Sequence, residues 1–234
     1  MSIILGIDTS STELGMGLFR DNQAIASYSR FIKNSHAEHI AQAITMLLGG
    51  CGLDPAAITH IVISEGPGSF TGLRIGMAFI KGFCAQSGVR VLPVSSLLIL
   101  AHGAGAATEG RIVAAIDARR DEVFCARFRR EHKRIIRETN DALIKASEFR
   151  AYLREGDCIV TDTMGYAAST VFGFLANTVG HLPIERHPFC RGLSCAATGA
   201  TLLDESNLWK EPADVLPRYL RAFSAPYSRT ERAS

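Results

Sequence analysis

Residues 3–10 read IILGIDTS, a β-rich run that ends on an aspartate, and a shift of 109 positions lays the run 112–119, IVAAIDAR, over it. The same shift puts Ile7 on Ile116, Asp8 on Asp117, Glu13 on Glu122, Phe19 on Phe128 and Arg20 on Arg129. Working outward from the first run, strands are expected over 13–19 and 24–31, with Asp21-Asn22 turning the chain between them. A helix is predicted over 36–48. Ser35 and Glu38 have capping-box spacing, Ile40, Ile44, Leu47 and Leu48 recur at helical period, and Gly49-Gly50 stops the run. A short turn at Asp54-Pro55 leads to a strand over 60–64, a glycine-rich loop, a second long helix over 72–86, a strand over 90–94 and a helix capped by Ser95. The order βββαβαβα starts again at Arg111, with a helix near 147–155, a strand over 158–161 and helices near 166–176 and 193–205.

Repetition of this order predicts an α/β protein of two lobes, each a ribonuclease-H-like βββαβα unit that buries a sheet face under its own helices. Duplicated lobes with an aspartate closing each first strand resemble the actin-like, Hsp70-like ATPase fold, which implies a nucleotide cleft between them. The expected boundaries are 1–103 for a partner-binding first lobe, 110–216 for a smaller second lobe and 217–234 for a basic end segment, with small residues crowding the join at 103–110.

Composition excludes several classes. At 234 residues and 47% hydrophobic, the chain is long enough for a substantial core. No stretch approaches the ~20 apolar residues of a membrane span, and no apolar leader with a small-residue cleavage site follows Met1. The cysteines are scattered, with no C-x-x-C pair, so they read as reduced thiols of a cytoplasmic protein. Net charge is only +2. Basic residues concentrate in 119–137, where Arg119, Arg120, Arg127, Arg129, Arg130, Lys133, Arg134 and Arg137 face only Asp121, Glu122 and Glu131. That hairpin has two open readings: contacts to nucleic-acid phosphates, or solvated guards on a sheet edge.

The loop and helix start at 66–76, GPGSFTGLRIG, also read two ways. Glycines before a helix N-terminus form a phosphate cradle, yet the string lacks the Lys-Ser/Thr ending of a P-loop and is not G-x-G-x-x-G. The contact reading notes that Gly72 and Gly76 lie four apart, a spacing that admits another backbone, with Leu73, Phe79, Ile80 and Phe83 supplying apolar area. Asp8 and Asp117 are the weak candidates for holding a nucleotide's metal ion, against a plain role capping turns at strand ends. His36 and His39 lie one helical turn apart without a third ligand, so no metal is expected. No nucleophile elbow is present.

The string GPGSFTGLRIG, with ILGIDTS at 4–10, DARRDEVF at 117–124 and P-x-Y-L-R at 217–221, resembles the TsaB family, also called YeaZ. The resemblance covers nearly the whole chain. One departure is His36-Ala37-Glu38-His39, where the family more usually has His-Ser-Glu-Leu. The resemblance implies a non-catalytic scaffold, without cofactor, of the machinery that places a threonylcarbamoyl group on the adenosine beside the anticodon of tRNA. The implied partners are the related catalytic subunit TsaD and the ATPase TsaE, with tRNA reached through the complex and a homodimer when the chain is alone. The implied partner face is built from His36, Ile40, Ile44, Leu47, Gly68, Phe70, Gly72, Leu73, Arg74, Gly76, Phe79, Ile80 and Phe83. At 93–97 the chain reads PVSSL, hydroxyls where TsaD carries metal-binding imidazoles, which argues against a metallopeptidase. The remaining alternative is an active kinase or ATPase using Asp8 and Asp117.

Overall fold

The structure, a computed structural model, describes residues 1–32, 36–85, 87–105, 110–132, 134–162, 184–186 and 191–221. Strands β1 (Ile3–Asp8), β2 (Glu13–Arg20) and β3 (Gln23–Phe31) form an antiparallel meander, and Ile3 pairs with Arg20 and Asp8 with Gly15. Asp21 and Asn22 turn the chain between β2 and β3 at φ 47° and 64°, left-handed values these two residue types tolerate. After α1 (His36–Gly50), β4 (His60–Gly66) lies parallel to β1, and after α2 (Phe70–Phe83), β5 (Arg90–Ser95) lies parallel to β4. The sheet order is β3-β2-β1-β4-β5.

The second half begins with α3 (Ser96–His102), β6 (Gly110–Arg119), β7 (Glu122–Glu131), β8 (Arg134–Arg137) and β9 (Ala142–Lys145). It continues through α4 (Ala146–Tyr152), β10 (Asp157–Thr161), β11 (Ile184–Arg186) and α5 (Arg191–Thr201). Its sheet runs β11-β10-β6-β7-β8, the first sheet's topology repeated, with β8 and β9 sharing one edge of β7. The duplication read from the two aspartate-ended strands is therefore physical: β1 and β6 are the central strands of matching sheets.

Period-two alternation divides the core. Leu5 and Ile7 of β1 pack with Ile40, Ile44, Met77 and Ile80 of α1 and α2. Ile4, on the opposite face, packs with Val62, Leu92, Ile99, Cys195, Ala196 and Trp209. In the second sheet Ile112 and Phe128 meet Leu97 and Leu100, while Val113 and Val123 meet Phe149.

These clusters correct the sequence-based division of helices. Residues 191–216 were expected to complete the second lobe, yet α5 packs on β1 and β2 of the first sheet, and Lys210 bridges to Val91 of β5. Conversely, α3, expected to close the first unit, contributes to the second lobe's core. The reason is that each sheet has two apolar faces, and only a helix of small residues can lie close across β1 and β2. Gly6 and Gly17 on the strands and Gly192 on α5 mark the crossing, where any Cβ would overlap the facing backbone.

Element ends also shift by a few residues. The first helix runs through Gly49-Gly50, and the left-handed stop falls on Gly52 at φ 63°. The second helix starts at Phe70 with Ser69 as its cap. The predicted helix near 166–176 and the cap at Ser35 lie outside the described residues.

Candidate functional site

A cleft of about 570 Å³ separates the lobes, walled by Ser10, His36 and Ser69 on one side and Asp117, Arg119 and Asp162 on the other. In this position the fold implies a magnesium nucleotide, so the question is whether the side chains fit one. Asp8 closes β1 but is not part of the cavity wall. Its Oδ1 accepts the Ser10 N–H at 2.7 Å, a turn cap, and its Oδ2 lies 2.7 Å from Nε of Arg191. Both side chains are at most 2% exposed. The Nε–H is not aligned on the oxygen, so charge rather than a well-directed hydrogen bond holds the pair.

The same guanidinium donates to Ser10 Oγ at 2.9 Å and lies 3.5 Å from Asp162 Oδ2. Burial alone would raise the Asp8 carboxyl, but Arg191 and the hydrogen bonds around Ser10 and Ser64 outweigh it and hold the group below its ordinary value. Asp117, which lines the cleft, is engaged more loosely, by an arginine whose side chain is 66% exposed. Its Oδ1 accepts the Arg119 N–H at 2.7 Å, and Oδ2 stands 3.4 Å from the Arg119 guanidinium. Where a catalytic site of this fold presents carboxylates to a metal cation, this chain supplies its own cations to them. The residues do not fit a magnesium nucleotide.

The glycine-rich loop serves an internal contact. Ser69 Oγ accepts the Gly72 N–H at 3.1 Å and Ser69 O accepts the Leu73 N–H at 2.9 Å, the cap of α2. A Cβ at Gly72 would overlap the Thr9 carbonyl oxygen, one at Gly76 the Thr9 hydroxyl, and one at Gly68 the Ser10 carbonyl. The close approach that the Gly72/Gly76 spacing promised is thus made by the loop after β1 in the same lobe.

The expected partner face needs the matching correction. His36, Ile40, Ile44, Leu47, Leu73 and Ile80 are each at most 6% exposed and lie inside the chain. Helical periodicity identified the buried stripe, and the lobe's own sheet buries it. Of the residues expected there, Phe70, Arg74 and, in part, Phe79 and Phe83 reach the surface. The outward stripe of α1 and α2 is a different set: Ala41, Thr45, Met46, Ala78 and Gly82 are exposed.

Four arginines of the basic hairpin are engaged within the chain. Arg127 is buried against Asp157 at 2.8 Å, Arg137 pairs with Asp141, Arg129 pairs with Glu131 and Glu138, and Arg130 donates to the carbonyls of Ala101 and Ala104. Sequence reasoning missed Arg191, a lone arginine heading a helix of small residues, and the role of 217–221. That segment straps the lobes together. The Arg218 N–H donates to Glu65 O at 2.7 Å, its guanidinium stands 3.9 Å from Glu65 and 3.7 Å from Asp141, and Arg221 pairs with Glu122. Tyr219 packs on Phe70 with ring centroids 4.8 Å apart, and its hydroxyl accepts from Arg74 Nε at 3.0 Å.

Two ribonuclease-H-like lobes joined by exchanged helices define a protein of the actin-like ATPase fold, here with the carboxylate that ends its first strand paired to a buried arginine. A family model described as TsaD, tRNA N6-adenosine threonylcarbamoyltransferase, matches residues 29–165. The chain is 32% identical over 154 residues to the tRNA threonylcarbamoyladenosine biosynthesis protein TsaB of Bacillus subtilis, covering 66% of this chain and 67% of that protein. It is 32% identical over 146 residues to the Escherichia coli protein of the same name, covering 61% and 62%. YeaZ from Pseudomonas aeruginosa superimposes with a TM-score of 0.77 at 25% identity, over 94% of this chain and 100% of that one. An activator of 2-hydroxyisocaproyl-CoA dehydratase from Clostridium difficile, solved with bound ADPNP, shares the fold alone, with a TM-score of 0.54 at 11% identity over 88% and 97% of the chains. This chain belongs to the TsaB (YeaZ) family of tRNA threonylcarbamoyladenosine biosynthesis proteins.

Proposed function

We propose that this chain is a non-catalytic scaffold of the cytoplasmic machinery that attaches a threonylcarbamoyl group to adenosine beside the anticodon, acting with a TsaD-type catalytic subunit and a TsaE-type ATPase. The observation that carries the reading is the Arg191–Asp8 pair. A buried guanidinium against the first-strand carboxylate removes the cation-binding role on which catalysis in this fold depends. What remains for the chain to offer is a surface. The exposed stripe of Ala41, Met46, Ala78 and Gly82 has small residues at which a partner helix approaches closely, and it is the docking face in this reading. The same face serves a twofold pair of this chain when the partner is absent.

The test is reconstitution. Purified TsaD and TsaE should modify tRNA only when this chain is added, and Ala78→Arg, at an exposed position, should abolish the gain while leaving the chain folded. Full activity without the chain, or tight magnesium-ATP binding by the chain alone that Asp8→Ala removes, would overturn the scaffold reading in favour of an active nucleotide enzyme.

A further inference from the structure

A second cavity, of about 510 Å³, opens beyond the inter-lobe cleft and shares Gly68, Ala118 and Phe124 with its walls. Its chemistry differs from that of the cleft. The floor is apolar, from Pro67, Leu73 and Phe124, and the rim carries Arg120, Arg218 and Arg221. Phe70 and Tyr219 stand at its mouth, 37% and 44% exposed, with centroids 4.8 Å apart and ring planes 33° from parallel. Large aromatic rings left at a surface beside arginines are the pattern of a stacking platform.

The platform is set in place before any ligand arrives. The Arg74 guanidinium lies 3.9 Å from the Phe70 centroid while its Nε donates to the Tyr219 hydroxyl at 3.0 Å, and the Arg218 N–H to Glu65 O bond fixes the backbone beside Tyr219. Arg120 is exposed at φ 56° and has no ion-pair partner among the described residues. Arg218 meets carboxylates only at 3.7 and 3.9 Å, and its side chain is 45% exposed. The cavity therefore combines a tilted aromatic wall, an apolar floor and the charge of Arg120, without an ion-pair partner among the described residues, within a volume that suits a small planar anion.

We propose that this cavity, between Phe70, Tyr219 and Phe124, binds one unpaired nucleotide of single-stranded RNA, its base against the aromatic wall and its phosphate toward Arg120 and Arg218. The proposal rests on the reading that the chain works on tRNA, and it locates an RNA contact where the strap meets Arg120, at the start of the basic stretch, rather than along its later arginines Arg127, Arg129, Arg130 and Arg137, which are paired within the chain. An acidic peptide would use the arginines but not the exposed ring of Tyr219, so RNA is the better occupant. A base has a π face on either side and stacks regardless of sequence.

The experiment uses the full chain and a fluorescein-labelled short oligoadenylate, followed by anisotropy at low salt. Tyr219→Ala should weaken binding about tenfold or more, the range expected for one lost base stack, whereas Tyr219→Phe should retain most of the affinity. Arg120→Glu should weaken binding severalfold and lower the salt dependence by about one counterion. Because Arg120 is exposed, that variant gives a result even if Tyr219→Ala melts early. The inference is overturned if a folded Tyr219→Ala variant or Arg120→Glu binds as the parent does, if free AMP competes as well as the oligonucleotide, or if polyglutamate displaces it equally. Loss of this inference with the chain still required for TsaD and TsaE activity leaves the scaffold reading intact; RNA binding by a chain that is dispensable in reconstitution does the reverse.

Discussion

Arg191 Nε lies 2.7 Å from Asp8 Oδ2, and the two residues are brought together from opposite ends of the chain by the passage of α5 across β1. Removing only the cation strands a carboxylate in the interior. Arg191→Met should therefore lower stability by about 3–5 kcal/mol, the usual penalty for breaking a buried pair. Adding Asp8→Asn should restore much of that loss, because the uncompensated charge disappears with it. Thermal melting of the two singles and the double measures the coupling. A single Arg191→Met variant that melts with the parent would show that the pair is not the support described here.

At Gly72 the structure reverses what the spacing in the sequence implied. A methyl group there would meet the Thr9 carbonyl within the same lobe, so Gly72→Ala should destabilise the chain itself, by about 1–3 kcal/mol or more. Ala78→Arg, facing outward on the same helix, should leave melting within about 0.5 kcal/mol of the parent. Comparing melting with TsaD pull-down for the two variants separates a folding contact from a docking contact. Equal melting of Gly72→Ala and the parent would contradict the packing.

Acid should weaken the fold in two successive windows. Burial, with the Arg130 guanidinium nearby, pushes the His102 imidazole down to about 4 from its ordinary 6.5. Between those values the unfolded chain binds a proton that the folded chain refuses, so stability falls as pH drops from 6.5 toward 4. Asp8 is held below its ordinary 3.8, so its contribution is present above that value and is lost only at lower pH still. Glu13 and Glu65, raised by burial, oppose part of the change near the ordinary carboxylate range. Urea midpoints across this range should show both windows, and His102→Gln should flatten the upper one alone. An unchanged upper slope in that variant would assign the loss to other groups.

The central strands were legible because burial on both faces writes itself as a continuous apolar run, as at Ile3 to Asp8, and because the same run recurs at Ile112 to Asp117. One cap was legible too: Ser95 accepts the N–H groups of Leu97 and Leu98, as its place before an apolar run implied. What lay beyond reach was which sheet a helix covers. The helix of residues 191–201 carries no mark of its destination, since small residues announce close packing but not the partner. The same blindness affected the partner face, where Ile40 and Leu73 were legible as apolar and periodic but not as already covered. Arg191 left no trace at all, because a buried ion pair between residues so far apart in sequence depends on the tertiary path alone.

The paired arginines of the hairpin yield a last contrast. Arg127 is 4% exposed in its side chain, donates to Asp157 Oδ2 at 2.8 Å and to the Tyr152 carbonyl, and lies 4.6 Å from the Tyr152 ring. Arg90, by comparison, meets Glu211 at 2.7 Å with both side chains about half exposed. Formal charge counting treats the two arginines alike; burial does not. Arg127→Leu leaves Asp157, at the base of β10, without its counter-charge, with the Arg154 N–H still bonded to it, and should lower stability by about 3–5 kcal/mol, while Arg90→Ala should change it by no more than about 1 kcal/mol. Added salt should narrow the small difference between Arg90→Ala and the parent and leave the Arg127→Leu deficit in place, because the buried pair is shielded from counterions. A deficit for Arg127→Leu that vanished in salt would return this arginine to the surface, and with it the reading of the hairpin as a phosphate-binding face.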